Sequence, residues 1–409
     1  MPADLSGDAP VFTAADQRDR EAAYDEALEA IEREARRAAG AHADRLAMQD
    51  RVMESFGRFA ATALDLEPEA VQLLTGGFIP IGREFGQRAR RFDAALTHAE
   101  ILQACRNAWT VCGLQPLLGD AMALTPSIVG YSLLYPYSDN YLDAARASRD
   151  EKLRFSARFL ARLRGDVLEP LNRREQAIWN LVEMIEMQYP RDEYPQAFDC
   201  LIAIHRAQEQ SMAQLRAAGE CDLRQVLEIS CAKGGSSVLA DACLCHGWLD
   251  QDESEFAFDW GVLLQLGDDL QDVREDLRSG AQTLFSRAAA AGAPLDAPTA
   301  RLLNLSGRLS ARMDRLPHGS RELKALLRMS WRSLIVMAVA QTEEYFTPAF
   351  AAEIERRSPF RFAFLRARQK RVARRRGLYA NLFEIFLAPQ SADRAASLSG
   401  AALAATVHL

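Results

Sequence analysis

Lysine is scarce in this chain, occurring only at Lys152, Lys233, Lys324 and Lys370, so arginine carries nearly all the positive charge and each lysine stands out. The net charge of -7 provides no general basic field, which argues against nucleic acid as a partner. Paired CxxC units are missing as well. The seven cysteines are irregularly spaced, with Cys243 and Cys245 the only close pair, so neither a disulfide framework nor a zinc pattern is present and a reducing cytoplasm is the expected compartment. No apolar run approaches the ~18 residues of a membrane span. The opening MPADLSGDAP carries acids where a secretory signal carries basic residues and an apolar core, so a soluble or membrane-peripheral protein is expected. Strand-like alternation of β-branched residues is also nearly absent.

What remains is helical in character. Ala, Leu, Arg and Glu dominate, and apolar residues recur at intervals of three and four. The pattern predicts an all-α protein with helices over residues 15–48, 50–64, 81–95, 99–115, 123–147, 150–164, 173–188, 195–217, 222–247, 253–278, 298–313, 320–346 and 360–387. Gly76, Gly77, Pro116, Pro170, Pro190 and Gly292 punctuate them. A chain of 409 residues, 49% hydrophobic, can bury a sizeable core. One helical domain is expected over residues 15–388, between a loose polar N-terminus at 1–14 and a loose Ala/Ser-rich tail at 389–409.

The most informative stretch is GVLLQLGDDLQDVREDLRSG at residues 261–280. Phe256, Trp260, Leu263, Leu266, Leu270, Val273 and Leu277 step by three and four and form one helical stripe. Gln265, Asp268, Asp269, Asp272 and Asp276 form a second, turned from it by about a third of a turn. Like charges one turn apart cost about 0.2 to 0.5 kcal/mol per pair on an exposed helix, and no basic residue interrupts this stripe. A hard divalent cation such as Mg²⁺, held by carboxylates and by phosphate oxygens of a substrate, would offset that repulsion. A solvated acidic face is the simpler reading of one such stripe by itself. A second acidic pair changes the balance: in YSDNYLDAARASRD, Asp139 and Asp143 again stand one turn apart, with Asn140 between them. Acid pairs on two separate helices are what a clamp for a metal-bridged diphosphate requires. Pro136 is expected to kink or begin the first of these helices.

Lys233 opens KGGSSVLAD, whose Gly234 and Gly235 read either as a kink that frees carbonyls into a pocket or as a close helix crossing. Lys233 itself can meet a diphosphate as a point charge. Arg274 and Arg278 follow the second acidic stripe closely, as Arg146 and Arg149 follow the first, and all are candidate diphosphate donors together with Gln282 and Thr283. Trp109, Tyr131, Tyr135, Tyr137, Phe256 and Trp260 are candidate walls for a hydrocarbon pocket.

These segments carry a family resemblance. Residues 265–272, QLGDDLQD, resemble the second aspartate-rich motif of trans-prenyltransferases, and residues 272–280, DVREDLRSG, resemble the matching segment of phytoene synthases. Asp139, Asn140 and Asp143 are similar to the first DDxxD motif, with Asn in its second place. SDNYLD with KGGSSVLAD is similar to the bacterial large-terpene synthases. Over about residues 75–290 the chain thus resembles the class I isoprenoid synthases. The resemblance implies a single bundle of antiparallel helices around a central apolar cavity. It implies three Mg²⁺ ions, with Mn²⁺ as a possible substitute, held by Asp139 and Asp143 on one wall and by Asp268, Asp269 and Asp272 on the other, and Asp276 is counted with them as a ligand. Lys233, Arg146, Arg274 and Arg278 would bind diphosphate, and Tyr135, Gln265, Gly234 and Gly235 would line the substrate pocket.

The expected activity is that of a class I terpene synthase: ionising a long-chain prenyl diphosphate and converting the cation to a terpene with release of diphosphate. A prenyltransferase, chain-elongating or squalene/phytoene synthase-like, is the alternative. A third reading is a helical protein without catalysis that docks to a membrane or partner through RARQKRVARRR at residues 366–376. Peripheral membrane contact is compatible with all three, and monomer and homodimer both remain open.

Overall fold

The computed structural model describes residues 10–37, 45–143, 147–211 and 222–387. Every regular element among them is a helix. The chain begins with α1 (Ala14–Arg37), α2 (Arg45–Thr62), α3 (Pro68–Leu73), α4 (Ile79–Phe92) and α5 (His98–Leu117). It continues with α6 (Pro126–Asp143), α7 (Arg149–Leu163), α8 (Arg173–Gln188), α9 (Pro195–Ser211), α10 (Leu223–His246) and α11 (Gln251–Gln271). The remainder comprises α12 (Val273–Ser279), α13 (Leu284–Ala290), α14 (Asp296–Arg315), α15 (Arg321–Gln341), α16 (Pro348–Arg356), α17 (Phe362–Arg374) and α18 (Arg376–Leu387).

The starts of these helices are written locally. Thr97 with Glu100, Ser148 with Glu151 and Asp250 with Glu253 form reciprocal capping boxes that satisfy the first free amides of α5, α7 and α11. Gly247 ends α10 in the left-handed region, at φ 91°, where a side chain would be strained.

Several boundaries differ from the sequence expectation. Of the helix expected over 15–48, α1 is described to Arg37 and residues 45–48 belong to α2, while residues 38–44 lie outside the described residues. Gly76 and Gly77 do not interrupt the chain; they lie in a π-helical turn, Leu74–Phe78, that carries α3 directly into α4. That wider turn absorbs an extra residue without leaving the helical basin. Likewise α6 runs through Pro136 and α5 through Pro116. The single helix expected over 253–278 is broken at Asp272, whose φ of -91° and ψ of 7° divide α11 from α12. Leu277, assigned to the core stripe, is consequently 37% exposed. The short helices α13 and α16 went unforeseen, and the segment 360–387 is two helices. Most of 1–14, and all of 389–409, lie outside the described residues.

Packing centres on α10 and α11. Helices α5, α6 and α9 lie against α10, while α14 and α15 lie against α11. Leu114, Ile128, Phe256 and Trp331 of these helices are fully buried, in one core with Phe85 of α4 and Phe285 of α13. A second group joins the two ends of the chain: α1 packs on α2, and α18 packs on α1, α2 and α4. The basic stretch is built into this contact. Arg366 pairs with Glu343, Arg368 with Asp25, and Arg371 and Arg375 with Glu32, whose side chain is completely buried. Tyr379 donates to the same carboxylate at 3.0 Å. Four of the arginines expected to face a membrane or solvent are thus paired with acids of this chain. No described helix is long and apolar enough to cross a membrane.

Candidate active site

The crossing of α10 over α11 sets the site. A Cβ on Gly234 would meet the Gly261 carbonyl oxygen at 2.4 Å and the Gln265 Cβ at 2.4 Å, so the two backbones touch. Of the two readings of the glycine pair, the structure shows close crossing, because α10 is unbroken from Leu223 to His246. Gly234 thereby brings Lys233 beside the acidic turns of α11. Gly235 packs against the Phe258 ring instead.

A cavity of about 960 Å³ opens beside this crossing. Asp139 reaches it from α6, Lys233 and Gly234 from α10, Gln265, Asp268 and Asp269 from α11, Asp272 from the break, and Asp276 from α12. The two acidic segments, more than a hundred residues apart in sequence, line one space. Much of the remaining wall is apolar or aromatic, with Phe78, Trp109, Tyr131, Phe159, Trp260 and Trp331 among its residues. Trp260 and Trp331 meet edge to face, with ring centroids 5.2 Å apart.

The acidic residues differ in their surroundings. Asp269 is 6% exposed and has both oxygens bonded: Gln265 Nε2 donates to Oδ1 at 2.8 Å and Ser230 Oγ to Oδ2 at 2.8 Å. Burial raises its pKa, and those two hydrogen bonds oppose the rise. Asp268 is pushed up to about 6, by burial first and then by Asp272 and Asp269, against the attraction of Arg106 and Lys233. Asp276 is pushed up to about 7, by burial and the charges of Asp269, Asp272 and Glu275, although Thr283 Oγ1 donates to it at 3.2 Å. Asp272, the most open of the four, is raised by burial and lowered by Arg106. Asp139 accepts from Ser138 Oγ at 3.0 Å.

This is a donor set of hard oxygens crowded beyond what their own charges favour, which suits a hard divalent cation. Among the described residues no three acid, imidazole or thiol groups already converge as a preformed metal cage. Phosphate oxygens of a substrate would have to complete the coordination, the usual arrangement for Mg²⁺.

Other expectations fare differently. Arg274 is paired with Glu344 and Arg278 with Glu275, and neither lines the cavity. Both meet acids at the surface, Arg278 within α12 itself. Arg146 lies outside the described residues, as do the side chains of Tyr135 and Asp143. Tyr137 donates to Asp93 at 2.7 Å and Phe256 sits in the core, so neither forms the wall.

The cationic side of the cavity includes a residue that sequence reasoning missed, Arg106 on α5. Its being the only arginine on the largely apolar α5 is the one signal that could have marked it. Asp241 was missed too, although its place seven residues after Gly234 puts it on the same face of α10, a legible signal. Comparison with protein-family models, curated proteins and solved structures finds no match to this chain.

Proposed function

We propose that the chain is a class I isoprenoid synthase, with the described helices forming that family's bundle around the 960 Å³ cavity. Within that class we favour a terpene synthase, which ionises a prenyl diphosphate and releases inorganic diphosphate and a terpene. One observation carries the reading: Asp139 and the Asp268–Asp272–Asp276 row line the same largely apolar cavity as Lys233 and Arg106.

Asp139, Asp268 and Asp272 would hold magnesium, with Asp143 and Asp276 as further candidates. Asp269 serves differently, since its two oxygens fix Gln265 and Ser230 and so hold α10 and α11 in register. Bound magnesium would neutralise charge on the leaving diphosphate. Lys233 and Arg106 bind the same anion from α10 and α5, favouring C–O cleavage by stabilising charge where it develops. The aromatic wall excludes water and presents π faces to the resulting allylic cation. The six described cysteines are free thiols, in keeping with a cytoplasmic enzyme.

The test is incubation with Mg²⁺ and prenyl diphosphates of increasing length, with and without isopentenyl diphosphate, followed by diphosphate assay and mass spectrometry of the organic extract. A hydrocarbon or terpene alcohol from one substrate alone supports the synthase. A longer diphosphate that requires isopentenyl diphosphate, or a joined pair of chains, assigns a prenyltransferase. Absence of diphosphate release from every substrate refutes both.

A further inference from the structure

The cavity carries a second acidic position, remote from the first. Asp241 stands on α10 eight residues beyond Lys233, about 12 Å further along the helix at 1.5 Å per residue. It is fully buried and lines the cavity. Asn107 Nδ2 donates to Asp241 Oδ1 at 2.8 Å, and the same amide lies 3.1 Å from Ser132 Oγ. Asp241 Oδ2 has no hydrogen-bond partner. No basic side chain among the described residues forms an ion pair with it. The Tyr131 hydroxyl, which also lines this wall, is turned to the Ser237 carbonyl at 3.1 Å.

An acid retained for structure alone would satisfy both oxygens, as Asp269 does. Leaving one buried and unpaired is costly unless something compensates it. We infer that Asp241, oriented by Asn107, is a specificity-determining residue that stabilises positive charge on the isoprenoid chain about two helical turns from the diphosphate end. The identity of the substrate rests on the function proposed above; the charge preference of the position does not. Burial holds the Asp241 carboxyl well above the usual carboxylate range, so the empty cavity keeps it neutral. A cation arriving beside Oδ2 favours the ionised form, and the low dielectric of the cavity makes that interaction strong. The acid would thus fix where the migrating charge dwells, and hence which terpene forms.

The experiment measures binding of a protonated tertiary-amine analogue of an isoprenoid chain, and of the neutral hydrocarbon of equal length, to the full chain by calorimetry near neutral pH. Wild type is expected to favour the amine by about tenfold or more, and Asp241→Asn to lose most of that preference. Asparagine keeps the shape and the acceptor for Asn107, and unchanged melting checks that the fold persists. Asn107→Leu, which removes the orienting donor, should weaken the preference as well. Equal binding of amine and hydrocarbon by wild type overturns the inference. So does an amine preference that survives Asp241→Asn, because the Asp268–Asp272 row would then be its source. Diphosphate release, assayed in parallel on wild type, reports on the proposed reaction separately.

Discussion

Gly261 on α11 abuts Gly234 on α10 so closely that a Cβ at Gly261 would stand 2.0 Å from the Gly234 carbonyl oxygen. Backbone, unlike a flexible side chain, cannot step aside. Gly261→Ala must therefore separate α10 from α11 and move Asp268 relative to Lys233. Overpacking of this kind costs about 1–3 kcal/mol, to be read as a lower melting temperature. Diphosphate release should fall with it. A variant that melts like wild type would show that the helices do not cross here.

Asp269 and Asp272 should respond differently to removal. Asp272 is exposed and caps no side-chain network, so Asp272→Ala should keep the wild-type melting temperature and lose Mg²⁺-dependent diphosphate release by about 100-fold or more, an electrostatic effect of a few kcal/mol. Asp269→Ala leaves Ser230 and Gln265 without their shared acceptor and should cost about 1–3 kcal/mol of stability. Equal melting of the two variants would contradict the separation of roles.

The sequence was most legible where chemistry and periodicity coincide. The acidic stripe after Gln265 and the DxxxD at Asp139 could be read because helical spacing alone puts carboxylates on one face. Their common cavity was expected only through the family resemblance, since spacing within each helix does not show that α6 and α11 meet through α10. The break at Asp272 was hidden because its amide still bonds to the Asp268 carbonyl at 2.8 Å and its carbonyl accepts from Asp276 at 2.9 Å, so no breaker residue is needed. Arg274 and Arg278 stand off the acidic face by helical spacing alone, and meet surface acids instead. Arg106 went unread although it is the only arginine on the largely buried α5, because a single cation on a helix does not by itself show which neighbour it faces.

Acid titration should expose the crowding of the carboxylates. A carboxyl whose pKa rises on folding opposes the folded state increasingly as the pH climbs from its unfolded value through its folded one. With Asp268 at about 6 and Asp276 at about 7, and an unfolded value near 4, metal-free wild type should lose stability relative to Asp276→Asn between about pH 4 and 7. The gap in melting temperature should widen over that window and level above it. Added Mg²⁺ should narrow it at the high end if these acids bind the ion, through stabilisation of the folded state by a ligand. A gap independent of pH would mean that Asp276 titrates normally.

The two ends of the chain meet at Glu32, and that contact decides what the basic stretch can do. Glu32→Gln would leave Arg371 and Arg375 without a charged partner. The cost should fall toward the lower part of the ~3–5 kcal/mol for breaking a buried pair, because Arg375 is itself 42% exposed. Hydrogen exchange should show α17 and α18 losing protection before the α10–α11 pair. The freed arginines should also strengthen binding to anionic vesicles by about 1 kcal/mol each, where wild type binds weakly. If wild type already binds such vesicles as tightly as the variant, the arginines are available despite their acids, which would favour residues 366–376 as a membrane contact.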